Sequence, residues 1–191
     1  MGRKIHYKEY VSVLRIDRGF SGKCRYLAKY ALKNDFDNVR LKEKVATVIL
    51  KNPSKADEEY SDQTINSVLE YMHIFHYSIV YIVNLIPVYA TNSIYADVDL
   101  WSNQEIIKKN KEHILDAIEQ ADKIFVGWGG NFLPTPQLLA EQIKYVKQCI
   151  VASKTKKMYC YEINKSNGQP RHPCRNGWKG KKPEEEFVEF V

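Results

Sequence analysis

No apolar run in this sequence approaches the roughly 18 to 20 residues that a helix needs to cross a bilayer. The longest, Ser78-Ile-Val-Tyr-Ile-Val-Asn-Leu-Ile-Pro87, is strand-sized and interrupted by Asn84. The opening Met1-Gly-Arg-Lys-Ile-His-Tyr-Lys8 has basic groups but no apolar stretch or small-residue cleavage site, so no secretory signal is expected and the expected compartment is the cytoplasm. Glycine and proline are scarce, 9 and 7 of 191 residues, which excludes collagen-like and low-complexity chains. Cysteine is scarce too. Cys24, Cys149, Cys160 and Cys174 include no C-x-x-C and no histidine at zinc-finger spacing, so reduced, mostly buried thiols are expected and no structural metal. There is no G-x-x-x-x-G-K-[ST], no G-x-G-x-x-G after a strand, no G-x-S-x-G and no H-E-x-x-H. Ordinary NTPase, dinucleotide redox, serine-hydrolase and zinc-protease chemistry therefore lose support, and no cofactor is expected.

What is present is an ordinary globular balance, 44% hydrophobic and 27% charged, on a chain long enough for one domain with a sizeable core. From Val45 onward, short apolar runs alternate with amphipathic stretches. The runs are Val45–Leu50, Ile79–Val83, Lys123–Gly127 and Met158–Ile163, each the length of a buried strand. Between the first two, Ile65, Val68, Leu69, Met72 and Phe75 recur at helical spacing after Ser61-Asp62, predicting a capped helix over about 62–76. Ser102-Asn-Gln-Glu105 has capping-box spacing ahead of a second apolar stripe, Ile106 to Ala121, and Pro136 opens a third, Leu138 to Ile150. The expected fold class is α/β, a three-layer sandwich with a central, mostly parallel sheet and right-handed crossovers.

Ahead of this core, Val11–Ile16 and Arg25–Ala31, separated by a Gly-rich turn, predict an added antiparallel hairpin. The expected layout is a single domain: a hairpin extension over 1–44, a β-α-β-α-β-α-β core over 45–163, and a basic loop with an acidic tail over 164–191. The net charge is +6, and the stretch Lys165–Lys182 holds six Lys/Arg with no Asp or Glu. It faces either a polyanion or solvent alone, balanced by the acidic Glu184-Glu-Glu-Phe-Val-Glu189.

Ligands of open parallel sheets sit outside the carboxyl ends of the strands. Four such ends are polar or glycine-rich here. The first continues into Lys51-Asn-Pro-Ser-Lys-Ala-Asp57, where Asn52-Pro53 turns the chain, Ser54 offers a hydroxyl and Lys55 a charge. The second ends at Asn84, whose amide can donate and accept along a base or amide edge. The third ends in Gly127-Trp-Gly-Gly-Asn131, and the fourth leads to Gly168-Gln-Pro-Arg-His-Pro173. Taken singly, Asn52 and Asn84 can serve loop backbone, His172 can be a surface histidine, Asp62 a plain helix cap and Trp128 part of the core. Their convergence at one edge of a sheet is what points to a site.

Leu14-Arg-Ile16, Asn52–Asp57, Asp62-Gln-Thr64, Val83-Asn-Leu85, Gly127-Trp-Gly129 and Gly168–Pro173 together resemble the DUF1643 family of small, uncharacterised bacterial and phage proteins. The order Asn52-Pro53, Tyr81-Ile-Val-Asn84, Val126-Gly-Trp-Gly129 and His172-Pro173 also resembles, more distantly, the uracil-DNA glycosylase superfamily. There, an Asp or Asn followed by Pro ends the first core strand, a base-reading Asn can end the second, and a His-Pro segment follows the last. His172-Pro173 departs from that pattern in leading to Cys174-Arg175-Asn176, without an intercalating leucine.

The resemblance implies a uracil-DNA glycosylase-like architecture and hydrolysis of the N-glycosidic bond of a damaged or modified base in DNA or a nucleotide. Asn52 would position water and His172 would stabilise the departing base. Asn84 would read the base edge within a binding set that includes Pro53, Ser54, Asp62, Trp128 and Asn131, and Tyr60, Tyr89 or Trp128 would stack on the base. Lys55, Arg171, Arg175, Lys179, Lys181 and Lys182 would hold phosphates. The alternative is a non-catalytic binding protein, a sensor or sponge for a nucleotide-like small molecule in the same crevice. A third reading is a basic adaptor for another protein.

Overall fold

A computed structural model describes residues 5–33, 43–89, 98–130, 136–174, 178 and 182–191. The four apolar runs pair as predicted. β4 (Val45–Leu50) lies between β6 (Ile79–Asn84) and β7 (Lys123–Gly127), and β8 (Met158–Cys160) adds beyond β7, all four parallel. The predicted hairpin forms from β2 (Val11–Gly19) and β3 (Cys24–Leu32), antiparallel to each other; β3 also pairs antiparallel with β6, so the hairpin continues the sheet. β9 (Val188–Phe190) closes the far edge antiparallel to β8, giving the order β2-β3-β6-β4-β7-β8-β9. A separate two-residue pair joins β1 (Ile5–His6) to β5 (Tyr60–Ser61). The sheet is thus mixed, with its parallel part at the centre.

Strand alternation sorts the core into two layers. Ala46, Val48 and Leu50 of β4 join Val80 and Ile82 of β6 against Ile65, Val68, Leu69 and Met72 of α1 (Gln63–Ile74). On the other face, Ile49, Val83, Ile124 and Val126 pack against Trp101 of α2 (Val98–Ser102), Ile106 and Ile114 of α3 (Gln104–Gln120) and Leu139 and Val146 of α4 (Pro136–Ser153). No helix among the described residues is long and apolar enough to cross a membrane. The chain leaves β4 toward the α1 face, but leaves β6 and β7 toward the opposite face. Connections that diverge in this way open a crevice at the carboxyl end of β4.

Three local expectations are corrected. Asp62 caps α1 as predicted, accepting from the amides of Thr64 and Ile65, but α3 is capped by Asn103 and not Ser102. Asn103 Oδ1 takes the Glu105 and Ile106 amides, while Ser102 ends α2 and its hydroxyl donates back to the Asp99 carbonyl. β8 stops at Cys160, three residues early, because Gly168, at φ +67°, turns the chain and Ile163 bridges back to Pro170.

The acidic tail is the third. It forms a 3-10 turn (Glu184–Glu186) and β9, with Phe187 and Phe190 buried. Glu184 accepts from Lys44 Nζ (2.8 Å), Lys123 Nζ (2.9 Å) and Tyr77 Oη (3.0 Å), at the amino ends of β4, β7 and β6. The acid is therefore engaged at the sheet edge opposite the crevice. Burial alone would raise the Glu184 carboxyl, yet the three donors outweigh it and hold the group below the ordinary glutamate range. A depressed carboxyl stabilises the fold above the unfolded-state value and loses that contribution as pH falls through the folded one. Glu184→Gln is expected to cost on the order of 2 kcal/mol at pH 7, with the gap to the unsubstituted protein closing below about pH 4. Urea unfolding at pH 7 and pH 3.5 checks both.

Candidate functional site

Asn84 is the last residue of β6, in register with Leu50 at the end of β4. Its carbonyl is engaged, since Asn110 Nδ2 on α3 donates to the Asn84 carbonyl (2.9 Å) and the Leu85 carbonyl (3.1 Å), and the Leu85 amide donates to Leu50. That accounts for a polar residue within the apolar stripe of α3. The Asn84 side chain has no such partners. It is 0% exposed, and among the described residues neither Oδ1 nor Nδ2 makes a hydrogen bond. By alternation with Val80 and Ile82 it stands on the α1 face.

The loop after β4 forms the neighbouring wall. Lys51 is buried, and desolvation lowers its pKa. Asn52 is partly exposed and donates only to the adjoining Pro53 carbonyl (3.4 Å). Pro53 is buried and Lys55 exposed. Ser54 Oγ accepts from Arg25 Nη2 (3.4 Å), and the Ala56 carbonyl from Arg25 Nη1 (3.0 Å).

The 161–171 hairpin delivers His172 to the same edge. Arg171 N–H donates to the Glu162 carbonyl and Gly129 N–H to the Pro170 carbonyl, which lays 170–173 across the end of β7. Two glycines admit this packing. A Cβ on Gly127 would stand 2.9 Å from Pro173 Cδ, and one on Gly129, at φ +73°, would stand 3.2 Å from His172 Cβ. The His172 imidazole is held down to about 4, first by burial and then by the Lys51 cation, while Asp62 pulls the other way. At neutral pH it is an uncharged ring, able to donate from one nitrogen and accept at the other. Asp62 spends Oδ1 on both capping bonds, and Oδ2 makes none among the described residues.

Not every predicted residue belongs to this group. Trp128 is a correction: its ring is 1% exposed, packed edge-on against Phe190 in the α3/α4 layer, and its indole N–H is taken by Gln169 (2.9 Å), so it offers no free face for stacking. Tyr60 lies against His6, and Tyr89 bonds Arg18. Arg171 pairs with Glu162 (2.7 Å), and Lys182 donates to the Tyr161 carbonyl (2.9 Å), so both basic groups have partners within the protein. Asn131, Arg175, Lys179 and Lys181 lie outside the described residues. The cysteines are unpaired, and burial pushes the Cys24 and Cys160 thiols up to about 11. Arg25 and Lys51 are the functional candidates that sequence reasoning passed over. Arg25 begins an apolar strand, and its charge there was the available signal.

The His172 ring is expected to stay unprotonated down to pH 5 and to titrate near 4, and Lys51→Met is expected to move that midpoint upward. Ring nitrogen NMR across pH 3.5–8 checks this; a midpoint near 6.5 would contradict the enclosed position.

Residues 29–174 match the family described as a protein of unknown function, DUF1643. No curated protein and no solved structure matches the chain. The match runs from β3 through the His172-Pro173 segment and takes in Asn52, Asp62, Asn84 and His172, over far more than half of the sequence. On that extent, the chain belongs to the DUF1643 family.

Proposed function

We propose that the strand-end crevice binds a nucleobase-bearing ligand and acts on its N-glycosidic bond, in the manner of the uracil-DNA glycosylase superfamily. The observation that carries this reading is the Asn84 side chain, an amide donor and acceptor held rigidly from behind by Asn110 with both polar atoms unspent. An orphaned buried amide costs about 1–3 kcal/mol per unmet group. A base edge presenting one acceptor and one donor would satisfy both at once.

Cleavage of the bond needs stabilisation of the departing base and a placed water. His172, neutral and fixed against Gly129, donates a hydrogen bond to the base as negative charge develops on it. Asn52 orients the water, and Asp62 supplies through Oδ2 the acceptor that an asparagine, having no titratable proton, does not. Positioning and leaving-group stabilisation then do the work, which suits a base already weakened by damage or modification.

One observation favours the second reading, a sensor or sponge that binds without turnover: among the described residues Asn52 donates only to the adjoining carbonyl, a weak contact that leaves its amide loosely held. The partners of Arg171 and Lys182 inside the protein favour a small nucleotide over a polymer in either reading.

Chromatographic assay of free base released from mononucleotides and from single- and double-stranded oligonucleotides with modified bases tests the proposal. Asn84→Ala and His172→Ala are each expected to lower release by about 10²-fold or more, and Asn52→Ala to lower it less. Release indifferent to Asn84 and His172 would refute the assignment; tight binding without release would establish the sensor. A small ligand gives a shallow salt dependence and a polymer a steep one.

A further inference from the structure

The Arg25 guanidinium, a cation with five N–H donors and no acceptor, is 0% exposed. Its described partners are neutral: the Ala56 carbonyl at 3.0 Å and Ser54 Oγ at a long 3.4 Å. Nε makes no hydrogen bond among the described residues. Among the described residues no carboxylate pairs with it, whereas Arg15, Arg18 and Arg171, all more exposed, each have one. A cation taken fully out of water without a counter-charge costs several kcal/mol, and removing an anion from such a pair is strongly destabilising. Among the described arginines, the most buried is thus the one with no carboxylate in direct contact.

Its surroundings suit an oxyanion. Tyr30 is fully buried and Tyr7 partly so; the hydroxyls stand 3.5 Å apart, and Tyr7 Oη donates to the Asp57 carbonyl (2.7 Å). The Arg25 charge favours the ionised form of both hydroxyls against the burial that raises them, while Asp57 at Tyr7 and Asp62 at Tyr30 act more weakly the other way. Arg25 is held by the same 51–57 loop that walls the Asn84 crevice.

We propose that Arg25 is the anchor for a phosphate on the ligand of this site, with Ser54 and Tyr30 as accessory hydroxyls. The ligand is then a mononucleotide with a terminal phosphate. This rests on the nucleobase reading of the crevice, and it adds the charge and the size of what fills it. A guanidinium meets a phosphate through two parallel N–H groups, and Nε with Nη2 forms such a fork once the weak Ser54 contact is released. Full burial selects a terminal phosphate, because a polymer backbone runs along a surface and would have to thread the 51–57 loop.

Two measurements test this. Inorganic phosphate, against potassium chloride at matched ionic strength, is expected to raise the melting temperature of the full-length protein saturably by about 2–4 °C, and to leave Arg25→Gln unmoved. Each common 5′-mononucleotide is expected to bind at least about tenfold tighter than its nucleoside, a factor that charge-assisted bonds readily supply; the ratio is expected to fall to near one in Arg25→Gln. If Arg25→Gln does not fold, the side-chain Nε–H signals of the unsubstituted protein serve instead, with one strongly protected signal shifting on addition of phosphate. No phosphate-dependent shift, or an unphosphorylated oligonucleotide binding more tightly than the mononucleotides, would overturn the proposal. Asn84→Ala separates the two assignments: it is expected to weaken nucleotide and nucleoside alike while leaving the response to inorganic phosphate intact. Loss at Asn84 without any effect at Arg25 would retain the base-reading crevice and remove the phosphate anchor.

Discussion

A primary amide moved into a protein interior gives up its hydration and must recover it from neighbours. At Asn84 the carbonyl finds a partner in Asn110, and the side chain finds none among the described residues. The surrounding structure makes that arrangement persist. β6 is paired on both sides, by β4 in parallel and β3 in antiparallel register, so its last residue cannot rotate away. Asn110 fixes the peptide from the α3 face, and Leu50 is fixed across from it through the Leu85 amide. The unmet groups are thus built into the frame.

The other constituents of the crevice follow from the same topology. Because β4 sends its chain to one face of the sheet while β6 and β7 send theirs to the other, the loops part at the carboxyl end of β4. The loop after β4 carries Lys51, Asn52 and Ser54 at this end of the sheet, and His172 returns across β7 because Gly127 and Gly129 leave room for the 170–173 segment. Burial first, and the Lys51 cation second, keep the His172 imidazole neutral, so the ring offers hydrogen bonds instead of charge. Arg25 then supplies the lasting positive charge. On the proposed reading, the Asn84 amide, the neutral His172 ring and the buried Arg25 cation together serve a base and a phosphate on one molecule.

Much of this could be read from the residues. The short apolar runs and period-3.6 stripes of 45–163 placed the four parallel strands and three long helices, and Asn84 stood out because it interrupts an otherwise apolar run. Asp62 was visible as a cap. Other features depend on which surface meets which. The run Glu184–Glu189 is dominated by acid, and only packing shows that Phe187 and Phe190 are buried and that Glu184 binds Lys44 and Lys123. Trp128 next to glycines suggests an open aromatic face, yet strand alternation turns it into the α3/α4 layer. Arg25 was hidden for the opposite reason. In a strand buried on both faces, alternation does not say which polar residue lies at the functional end, and its partners Ser54 and Ala56 come from a loop about thirty residues away.

The account stands on the Asn84 amide being an unfilled recognition group, and its own Nδ2 protons report that directly. In a proton–nitrogen spectrum of the full-length protein, assigned through Asn84→Asp, titration with 5′-mononucleotides is expected to shift one Asn84 Nδ2 proton well downfield and slow its exchange, as the amide acquires a partner. If the Nδ2 protons already show a strong hydrogen bond in the free protein, or stay unmoved while a nucleotide binds, Asn84 is a structural residue and the crevice does not read a base.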